Sequence, residues 1–387
     1  MGSTQGAYHC HNVQGVSENN GELDDEYYDK LDRLLSEVGE YKNVTNPMRV
    51  VIVLSNFWYW TGGLSWYLHN ASNCTNKSIP CPGVKESFIN YTEGFFKCKS
   101  AMKVIEKLFD NLANRTNKYK NNITYKDDST IMAWEIVDDP IANNNVNEFY
   151  NWTEHIASYI KERDKNHLVT IGMAGRENAS YYKRLHEIKQ IDYMTFSLMP
   201  MEWNWNVNEL EKKTKEFVNN VLKVSRIVRK PLVMNLFRFP RDDEVCSPNS
   251  PTKNRDEYYK YVLRLFTEYA EDQFIVGTYF WGWSFDSYPG NETCKLWEVE
   301  DPIIGDSTSM YQGYYSIYKT DNSTLEIINN SAHIINNLHK DITIPKYVWM
   351  MFAGAAGVFI VCIIIFIAIS CRVKSEWEHE LDVGADN

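Results

Sequence analysis

The chain has 387 residues and a net charge of −11, which leaves room for one large domain or two ordinary ones. That acidity argues against a nucleic-acid partner gripped through its phosphates. Aromatic residues make up 14% of the chain, with 12 Trp and 25 Tyr, enough for a large core and for ring faces lining a sugar cleft.

In chain order, residues 1–24 read as an irregular N-terminal segment and residues 25–342 as one α/β domain. Asp25–Tyr41 spaces Leu31, Leu34, Leu35 and Val38 as a helix does. Arg49–Ser55 is a β-branched run of the kind buried on both faces of a parallel sheet. Asn56–Gly63 follows as an aromatic loop ending in two glycines. Phe88–Thr116 reads as a single helix, and Asn114–Asn122 as loop. Ile131–Pro140 is an apolar run ending in two adjacent carboxylates, Asp138 and Asp139, and a proline that forbids the strand to continue. Further strands are expected at His167–Met173, Tyr193–Leu198, Pro231–Phe237 and Phe274–Trp281. Helices are expected near Asn147–Asp164, Glu209–Val228, Asp256–Asp272 and Leu325–His339. Such alternation means a parallel sheet with right-handed crossovers, and a parallel barrel delivers acidic side chains from strand ends to its catalytic rim.

Tyr347–Cys371 runs some 25 residues without a charge, and roughly 20 suffice to cross a bilayer as a helix. Arg372 and Lys374 follow it, so the positive-inside rule places residues 372–387 in the cytosol and the large domain outside the plasma membrane. Sequons at Asn43, Asn70, Asn73, Asn76, Asn90, Asn114, Asn122, Asn151, Asn178, Asn291, Asn322 and Asn329 agree with an exterior domain. So do six cysteines ahead of the apolar run, Cys10, Cys74, Cys81, Cys98, Cys246 and Cys294, whose disulfide connectivity stays open among fifteen possibilities. No metal-ligand spacing appears, and neither a metal nor another cofactor is implied. The first residues hold no apolar signal core, so the N-terminus is expected to be incomplete.

Several stretches resemble the mannanase branch of glycoside hydrolase family 5. They are Asn56-Phe57-Trp58 with Gly62-Gly63, Tyr125–Ile131 leading into Ala133-Trp134-Glu135, Asn166–Thr170, Asp192-Tyr193 with Pro200 and Trp203, Lys230-Pro231-Leu232, and Tyr279-Phe280-Trp281. The resemblance implies a (β/α)8 TIM barrel over about residues 15–340. It also aligns Leu31-Asp32 through Asn56-Phe57-Trp58 with the family's second helix, third strand and Asn-rich loop, so the chain is expected to lack the barrel's first two strands.

The same resemblance casts doubt on the chemistry. A retaining glycosidase needs two carboxyl groups about 5–5.5 Å apart. The family's acid/base Glu aligns with Asp139, and the Asn before it, which contacts the sugar, with Asp138. The nucleophilic Glu of a Lys-Pro-x-x-x-x-Glu-Phe-Gly setting aligns with Leu236, which has no lone pair to attack carbon. The supporting His-x-Tyr of the strand before aligns with Ser197 and Met199, and the Arg after the proline with Ile141. Trp281, the ring under the sugar beside the scissile bond, is retained. Asn56, Trp58 and Trp203 complete the expected substrate-binding set, with Trp60, Trp66, Trp205 and Trp283 on neighbouring loops.

Three readings follow. The first is a cell-surface pseudoenzyme that binds β-mannan or another glycan without cutting it. The second is a working membrane-anchored mannanase whose carboxylates have moved, Asp139 pairing with Asp138, Glu202 or Asp286. The third is a receptor domain with a closed cleft that binds an extracellular protein.

Overall fold

The computed structural model describes residues 5–8, 11–14, 21–40, 48–58, 62–71, 73–80, 85–242, 246–271, 275–288, 294, 296, 305–306 and 310–338. The chain divides into two compact units, Met1–Ile335 and Asn336–Asn387. The expected membrane segment Tyr347–Cys371 and tail 372–387 lie outside the described residues. Among the described residues, no helix is long and apolar enough to cross a membrane.

Among the described residues, six parallel strands build the main sheet: β1 (Val50–Val53), β2 (Ile131–Asp138), β3 (Leu168–Gly172), β4 (Met194–Leu198), β5 (Leu232–Phe237) and β6 (Ile275–Thr278). Ladders join β1–β2–β3 and β4–β5–β6. Single bonds stitch the two halves, from Asp192 N–H to the Val169 carbonyl at 2.8 Å and from Ser197 N–H to the Ala174 carbonyl at 3.1 Å. Spatial order therefore equals chain order, the winding of a (β/α)8 barrel. Within the described residues the outer edges are β1 and β6, and neither pairs with a further parallel strand. A hairpin, Gln5–Tyr8 with His11–Gln14, lies in the stretch expected to be irregular.

The helices form where apolar spacing dictates. Asp25–Glu40 buries Tyr28, Asp32 and Leu35 on one face, and Leu210–Val228 buries Leu210, Thr214, Val218, Val221 and Leu222, following the helical repeat. Two helices had no reading in the sequence: Gly63–Asn70, and Ala179–His186, eight residues started by the Asn178 side chain accepting from Ser180 N–H.

The single helix expected over Phe88–Thr116 is instead two, Lys85–Thr92 and Lys99–Asn114, with a tight turn at Glu93–Lys97 between them. Two long-range ties break it. Cys98 is extended, caps the second helix, and is disulfide-bonded to Cys74. Glu93 is fully buried, and its carboxylate accepts the N–H groups of Asn143 and Asn144. Neither constraint has a local signature. A second disulfide joins Cys246 to Cys294; Cys10 and Cys81 lie outside the described residues.

Behind β5 and β6, the guanidinium groups of Arg241 and Arg255 are almost fully buried on Asp321, at 2.7 and 2.9 Å. This pairing ties the start of helix Asn322–Leu338 to helix Lys253–Glu271. Of the twelve sequons, Asn43 and Asn291 lie outside the described residues, and the other ten asparagines are all exposed.

Candidate active site

The C-terminal ends of the strands converge on a floor built mainly by β2. Backbone bonds hold its last residues on both sides. Asp138 N–H donates to the Ser55 carbonyl at 3.0 Å, and Asp139 N–H to the Gly172 carbonyl at 2.8 Å. Consecutive strand residues ought to point to opposite faces, yet both carboxylates reach the loop after β1. Asn56 Nδ2 donates to Asp138 Oδ2 at 3.1 Å, and the Trp58 indole N–H donates to Asp139 Oδ2 at 2.7 Å. The cause is the backbone: Asp139 has φ 45°, a left-handed conformation that Asp tolerates better than most residues. It swings the side chain back across the strand end. Neither carboxylate caps helix Val146–Arg163, which begins at Asn145.

Burial sets the electrostatics. It raises Asp138 to about 6. It raises Asp139 to about 7, with the Asp138 charge adding to it and the Trp58 hydrogen bond opposing. Beneath them Glu135, 5% exposed, stands well above the usual carboxylate range through burial and the nearby Asp138 charge. Gly172 makes this possible, because a Cβ there would collide with the Glu135 carboxyl. Glu177, on the loop after β3, is also raised by burial, and its charge contributes to raising Asp139. A carboxyl titrating near neutrality suits a general acid.

Opposite stands the end of β5. Ser197 pairs with Leu236 across the ladder, after a register shift that leaves Asn235 and Leu236 half-buried. Ser197 Oγ donates to Asn235 Oδ1 at 3.2 Å, and Met199 is 7% exposed. The described ends of β4 and β5 thus offer a hydroxyl, an amide, a thioether and a leucine, but no carboxylate. Two residues on comes a cation. Arg238 is 6% exposed, and its Nε lies 2.9 Å from Glu202 Oε1. Its charge opposes the rise in Asp138 and Asp139.

The rings divide. Trp281 follows β6, its backbone N–H donating to the Phe237 carbonyl at 2.7 Å, with Arg238 over its ring at 5.8 Å. Trp58 stacks on Phe88, centroids 5.9 Å apart. Trp203 and Trp205 pack on each other and on Phe217, and Trp66 is buried. Trp283 is exposed at 51%. Trp60 lies outside the described residues. Of the carboxylates considered as partners for Asp139, Glu202 is held by Arg238 and Asp286 by Lys319.

Sequence reasoning had placed Asp139, Asp138, Asn56 and Trp58 in one site, and the structure brings all four together. It missed Glu135, Glu177 and Arg238. Glu135 was in view within Ala-Trp-Glu, but nothing local marked it as buried and inward. Arg238 had its signal in plain sight, a charged residue directly after an apolar strand.

A parallel barrel with a near-neutral acid and tryptophan rings at its strand ends is built like a carbohydrate-active enzyme. The comparisons narrow this. A family model described as GH family 5 beta-mannosidase-like matches residues 2–340, and the chain belongs to that family. It is similar to the mannan endo-1,4-beta-mannosidase 5 of Solanum lycopersicum, 26% identical over 278 residues, 66% of this chain and 62% of the relative. Mannan endo-1,4-beta-mannosidase 3 of the same plant is 25% identical, over 82% of this chain and 74% of that one. Among solved structures, the family 5 mannosidase of Rhizomucor miehei superimposes with TM-score 0.72 at 26% identity, covering 84% of this chain and 79% of that one. The Thermotoga petrophila endo-beta-1,4-mannanase shares the fold, with TM-score 0.59 at 21% identity over 81% of this chain and 63% of that one.

Proposed function

We propose that this domain is a non-hydrolytic member of family 5 that binds a β-linked mannose-containing glycan at the cell surface. It is held there by the apolar segment Tyr347–Cys371, and its exposed sequons carry glycans. The relatives support the ligand class: the curated ones are named mannan endo-1,4-beta-mannosidases, and a variant of the Rhizomucor miehei enzyme was solved with mannosyl-fructose. The observation that supports the loss of hydrolysis is the end of β5, which carries Leu236 at the aligned nucleophile position and, two residues on, Arg238, whose charge acts on Asp139. A retaining mechanism needs a second carboxylate about 5–5.5 Å from the acid, and the side chains brought there supply a cation and a hydrocarbon. The remaining acid retains a task, since a protonated Asp139 donates a hydrogen bond to a sugar oxygen. Titration calorimetry with β-1,4-mannohexaose tests this reading: saturable binding with no shortening of the oligosaccharide supports it, and absence of binding from a folded domain removes it.

One observation favours a second reading, hydrolysis by a rearranged pair. Glu177 is near enough to Asp139 for its charge to matter, and an inverting glycosidase works with carboxyl groups about 6.5–9.5 Å apart. In that case Asp139→Asn and Glu177→Gln each abolish cleavage while leaving binding within a few-fold.

A further inference from the structure

We propose that Arg238 is the specificity-determining residue of the cleft: its guanidinium occupies the face of Trp281 and excludes a neutral hexopyranose from it. The inference rests on the glycan-binding reading and says which part of the cleft a glycan is denied. Four segments converge to hold this side chain. It leaves the end of β5 and lies over two rings, 4.9 Å from the centroid of Tyr315 and 5.8 Å from that of Trp281. Its Nε is 2.9 Å from Glu202 Oε1, in the turn after β4, and its Nη1 is 3.2 Å from Met310 Sδ. The Glu202 charge also helps to hold the Tyr315 hydroxyl protonated, after burial, which acts most strongly, so ring, cation and anion lie together around Arg238.

The chemistry makes this unit selective. An indole face attracts a cation through its quadrupole, and the same face is what the apolar side of a pyranose would cover, so the two compete for one surface. A neutral sugar has no charge to offer a guanidinium that must leave Glu202, and a buried cation without a partner is costly. The ion pair therefore has to open outward before a neutral sugar can sit on Trp281. Glu202 provides the way out, because its side chain keeps 30% of its exposure whereas that of Arg238 keeps 8%. A pair with one foot in solvent is screened by salt, as a fully buried one is not.

Two measurements on the full-length protein decide the matter, with β-1,4-mannotriose as the probe. Arg238→Gly is expected to bind mannotriose at least tenfold more tightly than the natural domain. Raising sodium chloride from 50 mM to 1 M is expected to strengthen binding by the natural domain several-fold and to leave the variant unchanged. A merely structural arginine would show neither effect. Binding by a folded Arg238→Gly within twofold of the natural domain overturns the proposal and leaves the glycan-binding reading standing. If that variant does not fold, affinity of the natural domain that is indifferent to salt overturns it alone. If neither protein binds mannotriose, the glycan-binding reading falls and this inference with it.

Discussion

The indole N–H of Trp58 donates to Oδ2 of Asp139 at 2.7 Å, 81 residues apart in sequence. The bond is made because Asp139 adopts φ 45° and turns toward the loop after β1. It fixes an acid of the floor that burial raises to about 7. A donor to the charged form holds a carboxyl pKa down, so Trp58→Phe should move the Asp139 midpoint upward from about 7. Carboxyl carbon NMR across pH 5–9 reads this directly. A midpoint that falls or stays put would mean that the bond is not made in solution.

The same carboxyls make stability depend on pH with a definite sign. Asp138 and Asp139 stand at about 6 and about 7 when folded, against about 3.9 unfolded. The folded state therefore binds more protons between those limits, and stability falls as pH rises through them. The contribution is complete below about pH 4 and lost above about pH 7. Asp321 acts the other way: burial opposes its charge, but Arg241 and Arg255 outweigh burial and hold it low, so its contribution disappears only as pH falls below the ordinary carboxylate range. Melting temperature should be higher at pH 5 than at pH 8, and Asp138→Asn with Asp139→Asn should flatten the difference.

Asp321 is the sole carboxylate described in contact with two buried guanidinium groups. Removing one partner of a buried ion pair costs about 3–5 kcal/mol, because the charge left behind is uncompensated. Asp321→Ala leaves two such charges and should destabilise the domain by at least that much in denaturant titration. A loss under about 1 kcal/mol would mean that water reaches the cluster.

The Cys246–Cys294 disulfide closes a loop of sequence separation 48. Chain entropy predicts that opening a loop of this size costs about 4 kcal/mol. Replacing both cysteines by serine should lower stability accordingly in the same titration, with far-ultraviolet circular dichroism unchanged.

The barrel was legible because its strands are short apolar runs alternating with helical spacing, and Val50–Val53, Ile131–Asp138 and Leu232–Phe237 fall within a residue or two of where the runs ended. The break at Glu93–Lys97 was not legible, since its causes are a cysteine partner 24 residues away and backbone donors at Asn143 and Asn144. Within the site, the identity of Leu236 carries the argument and is visible in sequence alone. That Asp138 and Asp139 reach the same loop is not, because alternation along a strand predicts the opposite and only the backbone at Asp139 reverses it. Arg238 was passed over for a similar reason: its meaning lies in Glu202, Trp281 and Tyr315, on three other segments.

The most direct test is hydrolysis. The protein and its Leu236→Glu variant would be incubated for days with β-1,4-mannohexaose, and the products followed by mass spectrometry. The account predicts intact hexaose with the natural domain, because the proposed reading has Leu236 and not a carboxylate at the aligned nucleophile position on β5. Shorter oligosaccharides from the natural domain, absent in its Asp139→Asn variant, would contradict it and show that a working carboxylate pair survives.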